Sequence, residues 1–226
     1  MSKNFVEKID SAKESGTAAL KDSLVEKLQA LNELTDASPL ARARLQLDVS
    51  EILVALERKP EAWLLAREAF DTALNHDAWK DAVEACDVLY QCEQKESVAA
   101  LGMGVWLAVS FPVDPELTLA MLMHIVEETP DNSDGAALAA VAARYVIDLR
   151  ADDAAHSSLS FLANTLIGRV AERHSKVRDQ AALDQWMDKL ELRDPQIFLP
   201  RLGKVVNIIV GDAWWFDREV LRGKFD

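Results

Sequence analysis

Four histidines, two cysteines and 38 carboxylates are the groups with which this 226-residue chain could do acid–base, nucleophilic or metal chemistry. Their spacing argues against it. His76, His124, His156 and His174 never occur as Glu-x-x-His or His-x-x-x-His, the helical spacings that put two metal ligands on one face. Asp153 and His156 lie three apart but are too few to complete a site. Gly102-Met103-Gly104 lacks the Lys and Thr of a phosphate-binding loop and sits in an apolar run, where helix packing explains it. Gly-x-Ser-x-Gly is absent. Cys86 and Cys92 fall six residues apart in one helical pattern, on nearly opposite sides of a helix. That placement forbids a disulfide between them and suits buried thiols in a reducing compartment. The paired acids Glu127-Glu128 and Asp152-Asp153 point about 100° apart on a helix and cannot converge on a substrate. The expectation is a non-enzyme with no catalytic residue, metal or cofactor.

Charge excludes further classes. There are 25 Lys and Arg against 38 Asp and Glu, a formal charge of −13. A nucleic-acid surface needs clustered positive charge, so no nucleic acid is expected, and the same balance argues against anionic membranes. No apolar run approaches the length of a membrane span, and the N-terminus has no apolar signal core. The expected compartment is the cytoplasm. The acid is unevenly spread: between Phe111 and Ser160 nine carboxylates face only Arg144 and Arg150, whereas from Trp186 to Asp226 seven acids balance seven bases.

The elements that would position these groups all read as helices. Half the residues are apolar, and only 8 Gly and 7 Pro interrupt them. Phe5, Ile9, Ala12, Ala19, Leu20, Leu24, Leu28 and Leu31 recur at helical spacings, with a break expected at Gly16-Thr17. This N-terminal helix or helix pair packs on the body, pairs with another chain, or forms a partly disordered arm. Ser38 as N-cap and Pro39 at the first helical position open a helix to about Arg58. Pro60 opens the next, carrying Ala62, Trp63, Ala66, Ala69, Phe70 and Ala73, and Asp77 is placed to cap its successor. Helices follow over Ala78–Gln94 and Glu96–Ser110. Beyond the break at Phe111–Pro115 come Glu116–Glu128 and Ala136–Leu149. A polar linker is expected over Arg150–His156, then helices over Ser157–His174 and Lys176–Leu192. Asp194-Pro195 and Leu199-Pro200 bracket a short segment. Val205–Val210 is β-like in composition but has no partner strand, and is read as buried helix.

An internal repeat organises the middle of the chain. Val49–Phe70 aligns with Ala85–Trp106 at an offset of 36 residues, matching Ser50 with Cys86, Leu53 with Leu89, Ala66 with Gly102 and Phe70 with Trp106. A third unit runs from about Glu116 to Leu149. With the small Ser50, the apolar Leu53 and Leu56, the Glu61-Ala62 turn exit and Ala69, this resembles a tetratricopeptide repeat (TPR), a helix–turn–helix of about 34 residues. Glu57 and Arg58 stand where that motif has glycine, and its Trp and Tyr are missing. The resemblance implies an all-α fold, antiparallel helix pairs stacked as a TPR-like right-handed array, with extra N-terminal and C-terminal helices. The divisions are residues 1–37 for the N-terminal helix, 38–150 for the repeats and 151–226 for a C-terminal extension or cap.

The resemblance also implies function: the first helix of each pair lines a concave face that binds segments of partner proteins. Its exposed positions would be Arg44, Asp48 and Glu51 in the first unit and Lys80, Glu84 and Asp87 36 residues on. A third unit would add Glu116. Acids outnumber bases there, so the expected partner is another protein with a basic segment. Trp214, Trp215 and Phe216 cannot all face inward on one helix, so Trp214 or Phe216 is expected to be exposed. Asp212 is the expected cap, and the cluster either contacts a partner or caps the array. The leading reading is a protein-interaction module (adaptor, scaffold or assembly chaperone). A purely structural homo-oligomer and an enzyme without a linear motif are the alternatives.

Overall fold

A computed structural model describes residues 3–34 and 38–224, with side chains from Gly16 onward. Among these residues every regular element is a helix, eleven in all, and no strand occurs. They divide into two compact units, Met1–Ser97 and Val98–Asp226.

The first unit holds α1 (Lys3–Glu33), α2 (Pro39–Ala55), α3 (Lys59–Asn75) and α4 (Trp79–Gln91). Gly16 and Thr17 do not break α1, which runs as a single helix because one glycine costs only about 1 kcal/mol against its neighbours' hydrogen bonds. Phe5, Ile9 and Ala12 lie outside the described side chains; Leu24 and Leu31 are buried. Ser38 caps α2, its Oγ accepting from the Ala41 N–H at 3.2 Å, with Pro39 in the first turn. Packing is by small residues. Ala62, Ala66, Ala69 and Ala73 on α3 are fully buried, as are Ala82, Ala85 and Cys86 on α4. Side chains without bulk let α2, α3 and α4 approach closely as antiparallel neighbours.

The turns repeat as well. Glu57 follows α2 at φ 59°, Asp77 follows α3 at 57° and Glu93 follows α4 at 53°. In the first turn Arg58 N–H donates to Leu53 O at 2.8 Å and Glu57 N–H to Val54 O at 2.9 Å, the double closure of a Schellman cap. Ala78 and Asp77 donate likewise to Ala73 and Leu74. Asp77 is therefore the left-handed exit of α3. The N-cap of α4 is Ala78, which makes no side-chain cap bond.

The second unit holds α5 (Ser97–Ser110) from Val98 onward, α6 (Pro115–Glu128), α7 (Asp134–Arg150), α8 (Asp153–Ser175), α9 (Gln180–Lys189), α10 (Pro195–Val210) and α11 (Arg218–Arg222). Its centre is α7, which packs on α6, α8 and α10 and buries every residue from Gly135 to Ala143. Three arginines tie helix ends into this body. Arg150 donates to the carbonyls of Ala108 (2.7 Å), Val109 (2.8 Å) and Val113 (3.2 Å) at the end of α5. Arg173 reaches Val126 and Thr129 at the end of α6, and Arg201 reaches Leu190 at the end of α9.

Four expected boundaries move. The Arg150–His156 linker shrinks to Ala151 and Asp152, because Asp152 caps α8 by accepting from Ala155 N–H at 2.9 Å. Asp179, not Lys176, opens α9, its carboxylate accepting from Ala182 N–H at 2.9 Å. Pro200 does not end a segment but lies inside α10. Phe198, Leu202, Val206 and Val210 bury one continuous face there, and that burial outweighs the hydrogen bond proline cannot make. Val205–Val210 is helical as expected, though only partly buried: Ile208 points to solvent. Finally, Asp217 rather than Asp212 caps the last helix.

Close packing makes two positions sensitive. Ala66 is fully buried, and a Cβ added at Gly102 would sit 2.5 Å from Val210 Cγ2 and 3.1 Å from Ile209 Cγ2. Ala66→Leu and Gly102→Ala should each cost about 1–3 kcal/mol. Thermal unfolding followed by circular dichroism checks this, and an unchanged midpoint for either variant would contradict the packing.

Candidate functional site

The face of α2 that carries Arg44, Asp48 and Glu51 follows from spacing, since residues four and three apart stack along one side of a helix. On α4 the same spacing aligns Lys80, Glu84 and Asp87. Because α2 and α4 both pack on α3 and touch each other, these two stripes lie side by side.

Arg44 joins them. Its Nε donates to Asp48 Oδ1 at 3.1 Å along α2, and its terminal nitrogens reach Glu51 at 3.6 Å, Asp81 at 3.1 Å and Glu84. From α1, Lys27 Nζ meets Asp48 Oδ2 at 2.6 Å. Asp87 accepts from Gln91 Nε2 at 2.9 Å. Lys80 is exposed on the same helix. The Arg44 side chain is 39% exposed and that of Glu84 22%, so the network is partly open to solvent. Spacing alone missed Asp81 and Lys27. The repeat matches Arg44 with Lys80, but ion pairs form across helices, and Arg44 finds its α4 partners 37 and 40 residues on.

Four carboxylates, Asp48, Glu51, Asp81 and Glu84, thus converge on Arg44, with Lys27 also on Asp48 and Asp87 close enough to repel Glu51. Titration reflects the crowding. Burial would push the Asp48 carboxyl up, but hydrogen bonds from Lys27 and Arg44 outweigh it and hold Asp48 below the usual range. Glu51 goes the other way. Burial and repulsion from Asp48, Glu84 and Asp87 overcome the pull of Arg44 and raise it. Arg44 is desolvated, yet Glu84 and Asp48 raise its pKa further.

The other candidate residues lie in the second unit. Trp214, Trp215 and Phe216 occupy a non-helical stretch between α10 and α11, and all three are half-buried. None of them is fully exposed, because off a helix the backbone can turn adjacent rings to one side. The Trp106 ring lies 6.2 Å from Trp214 and 5.5 Å from Phe216, centroid to centroid. Many acids of the 111–160 stretch serve local structure: Asp152 caps α8, Asp148 pairs with Arg144 and His156, and Asp134 meets Arg201 and His174. His156 therefore pairs with Asp148 rather than Asp153.

Cys86 and Cys92 are both buried free thiols, and burial raises Cys86 strongly and Cys92 to about 11. Among the described residues no three His, Cys, Asp or Glu side chains converge as a metal-ligand set, and no helix is long and apolar enough to cross a membrane. No family model, no curated protein and no solved structure matches the chain.

The opposed shifts predict opposed stability effects. Asp48 titrates lower in the fold than the unfolded value of about 3.9, so its contribution is complete above that value and is lost as pH falls through the folded one. Glu51 titrates higher in the fold, so its ionisation opposes folding as pH rises through the folded value. At pH 7, Asp48→Asn should cost about 1 kcal/mol, and Glu51→Gln should gain about 0.3 kcal/mol, solvent screening keeping the second small. Both differences should vanish in acid. Urea titrations at neutral and acid pH check the signs.

Proposed function

We propose that this chain is a TPR-like protein-binding module (an adaptor, scaffold or assembly chaperone) whose α2–α4 face takes a basic segment of a partner protein. It acts by binding, not catalysis. The observation that carries this reading is the crowding of acid on that face: Asp48, Glu51, Asp81 and Glu84 all converge on Arg44, and burial together with repulsion from Asp48, Glu84 and Asp87 raises Glu51. A Lys or Arg arriving there relieves that repulsion, and the half-exposed network stays open to it. The TPR-like assignment draws on two further features. Glu57 and Glu93 take the same left-handed exit 36 residues apart, and α2 and α4, the first helices of successive repeats, are neighbours. The two buried thiols suit a reducing compartment, and the cytoplasm is the proposed location.

The test is a pull-down with the full chain, identification of the bound protein, and titration of that protein from low to high salt. Glu51→Lys with Asp87→Lys reverses two charges without removing the Arg44–Glu84 pair. Affinity should fall about tenfold in the double variant and should also fall with rising salt, since the Debye length is only about 8 Å at 0.15 M. An affinity indifferent to both would refute the acidic face as the binding site.

A further inference from the structure

The second unit carries a cavity of about 330 Å³ between α5, α10 and α11. Its apolar wall is Val105, Trp106 and Val109 of α5 with Leu202 and Val206 of α10. Trp106 is 7% exposed and forms the floor rather than the mouth. The polar lining is mostly cationic: Lys204, Arg218 and Arg222. In a chain of formal charge −13 this reverses the prevailing sign.

Two of the cations, Arg218 and Arg222, are also preset. The Arg218 guanidinium lies 4.1 Å from the Trp214 ring centroid and donates to Asn207 Oδ1 at 2.5 Å. Arg222 lies 5.7 Å from the Trp106 centroid and is paired with Glu219 at 2.5 Å. Stacking on a ring occupies the face of a guanidinium and leaves donors at its edge. Lys204 and Arg218 have no carboxylate partner among the described residues. Among the described residues Glu219 is the one carboxylate paired with these three cations.

We infer that this cavity is a binding site for a small organic monoanion, a carboxylate on an aromatic or branched apolar body. The apolar wall takes the body and Arg218 with Lys204 takes the carboxylate, whose planar pair of oxygens matches a guanidinium edge. The volume lies at the low end of the range of about 300–1,000 Å³ for small-molecule pockets, which selects a compact ligand. A single charge is favoured because Arg222 is held by Glu219, which leaves Arg218 and Lys204 to one carboxylate, and the net charge of −13 opposes a dianion. The inference is independent of the acidic face of the first unit, and its failure would leave that reading untouched.

The full chain is titrated calorimetrically with 1-naphthoate, 1-naphthamide and 1-naphthyl phosphate. One site for 1-naphthoate is expected, with the amide at least about tenfold weaker, the loss of a charge-assisted hydrogen bond. Arg218→Gln should weaken 1-naphthoate by a similar factor. Gly203 lines the cavity, and a Cβ there would meet nothing within 4 Å, so Gly203→Leu should fill the space and abolish binding without lowering the unfolding midpoint. Absence of binding at millimolar 1-naphthoate overturns the proposal. So do equal binding of acid and amide, preference for the phosphate, or undiminished binding to a folded Gly203→Leu variant.

Discussion

Everything at the α2–α4 face depends on how closely helices can approach α3. Helix axes come within about 8 Å only where the facing side chains are small. On α3 four fully buried alanines meet that condition, at positions 62, 66, 69 and 73. Arg44 reaches Asp81 and Glu84 because its own helix and theirs lean on the same alanine stripe. The polar network is thus downstream of an apolar constraint. Ion pairs this exposed contribute little to stability, and their value lies in the field they leave at the surface.

The second unit solves a different problem with charge. Each helix end presents carbonyls that its own ladder cannot satisfy. Arg150, Arg173 and Arg201 satisfy those of α5, α6 and α9. A guanidinium suits the task because several donors fan out in one plane, and its charge sits at the negative end of the helix dipole. Arg173 and Arg201 also meet Asp131 and Asp134, whereas the hydrogen bonds of Arg150 go to carbonyls. Arg150 is one of two bases within the acidic 111–160 stretch, and its donors point into protein.

The sequence carried the helices and their starts well. Ser38-Pro39 and Pro60 opened α2 and α3 where N-cap and first-turn chemistry put them, and the small residues of the repeat mark the buried faces. What it carried poorly were exits. A cap reads as an acid before an apolar run, so Asp77 and Asp212 looked eligible; the backbone placed Asp77 in a left-handed exit and gave the last cap to Asp217. Pro200 and Gly16 looked like breaks because local propensity disfavours them, and tertiary burial or helix continuity prevailed. The candidate face was half legible. Periodicity finds residues on one helix, whereas Asp81 and Lys27 join through contacts between helices that no linear spacing encodes.

The left-handed exits have a consequence for how this chain could evolve. Four of them are occupied by Glu57, Asp77, Glu93 and Glu191, residues for which positive φ is costly, while glycine adopts it freely. Every codon for glutamate or aspartate becomes a glycine codon by a change in its second base alone. At each exit a more relaxed turn is therefore a single nucleotide away, and reaching it also removes one negative charge. A lineage under heat stress has up to four independent one-step routes to a firmer and less acidic protein, none of which touches a buried side chain.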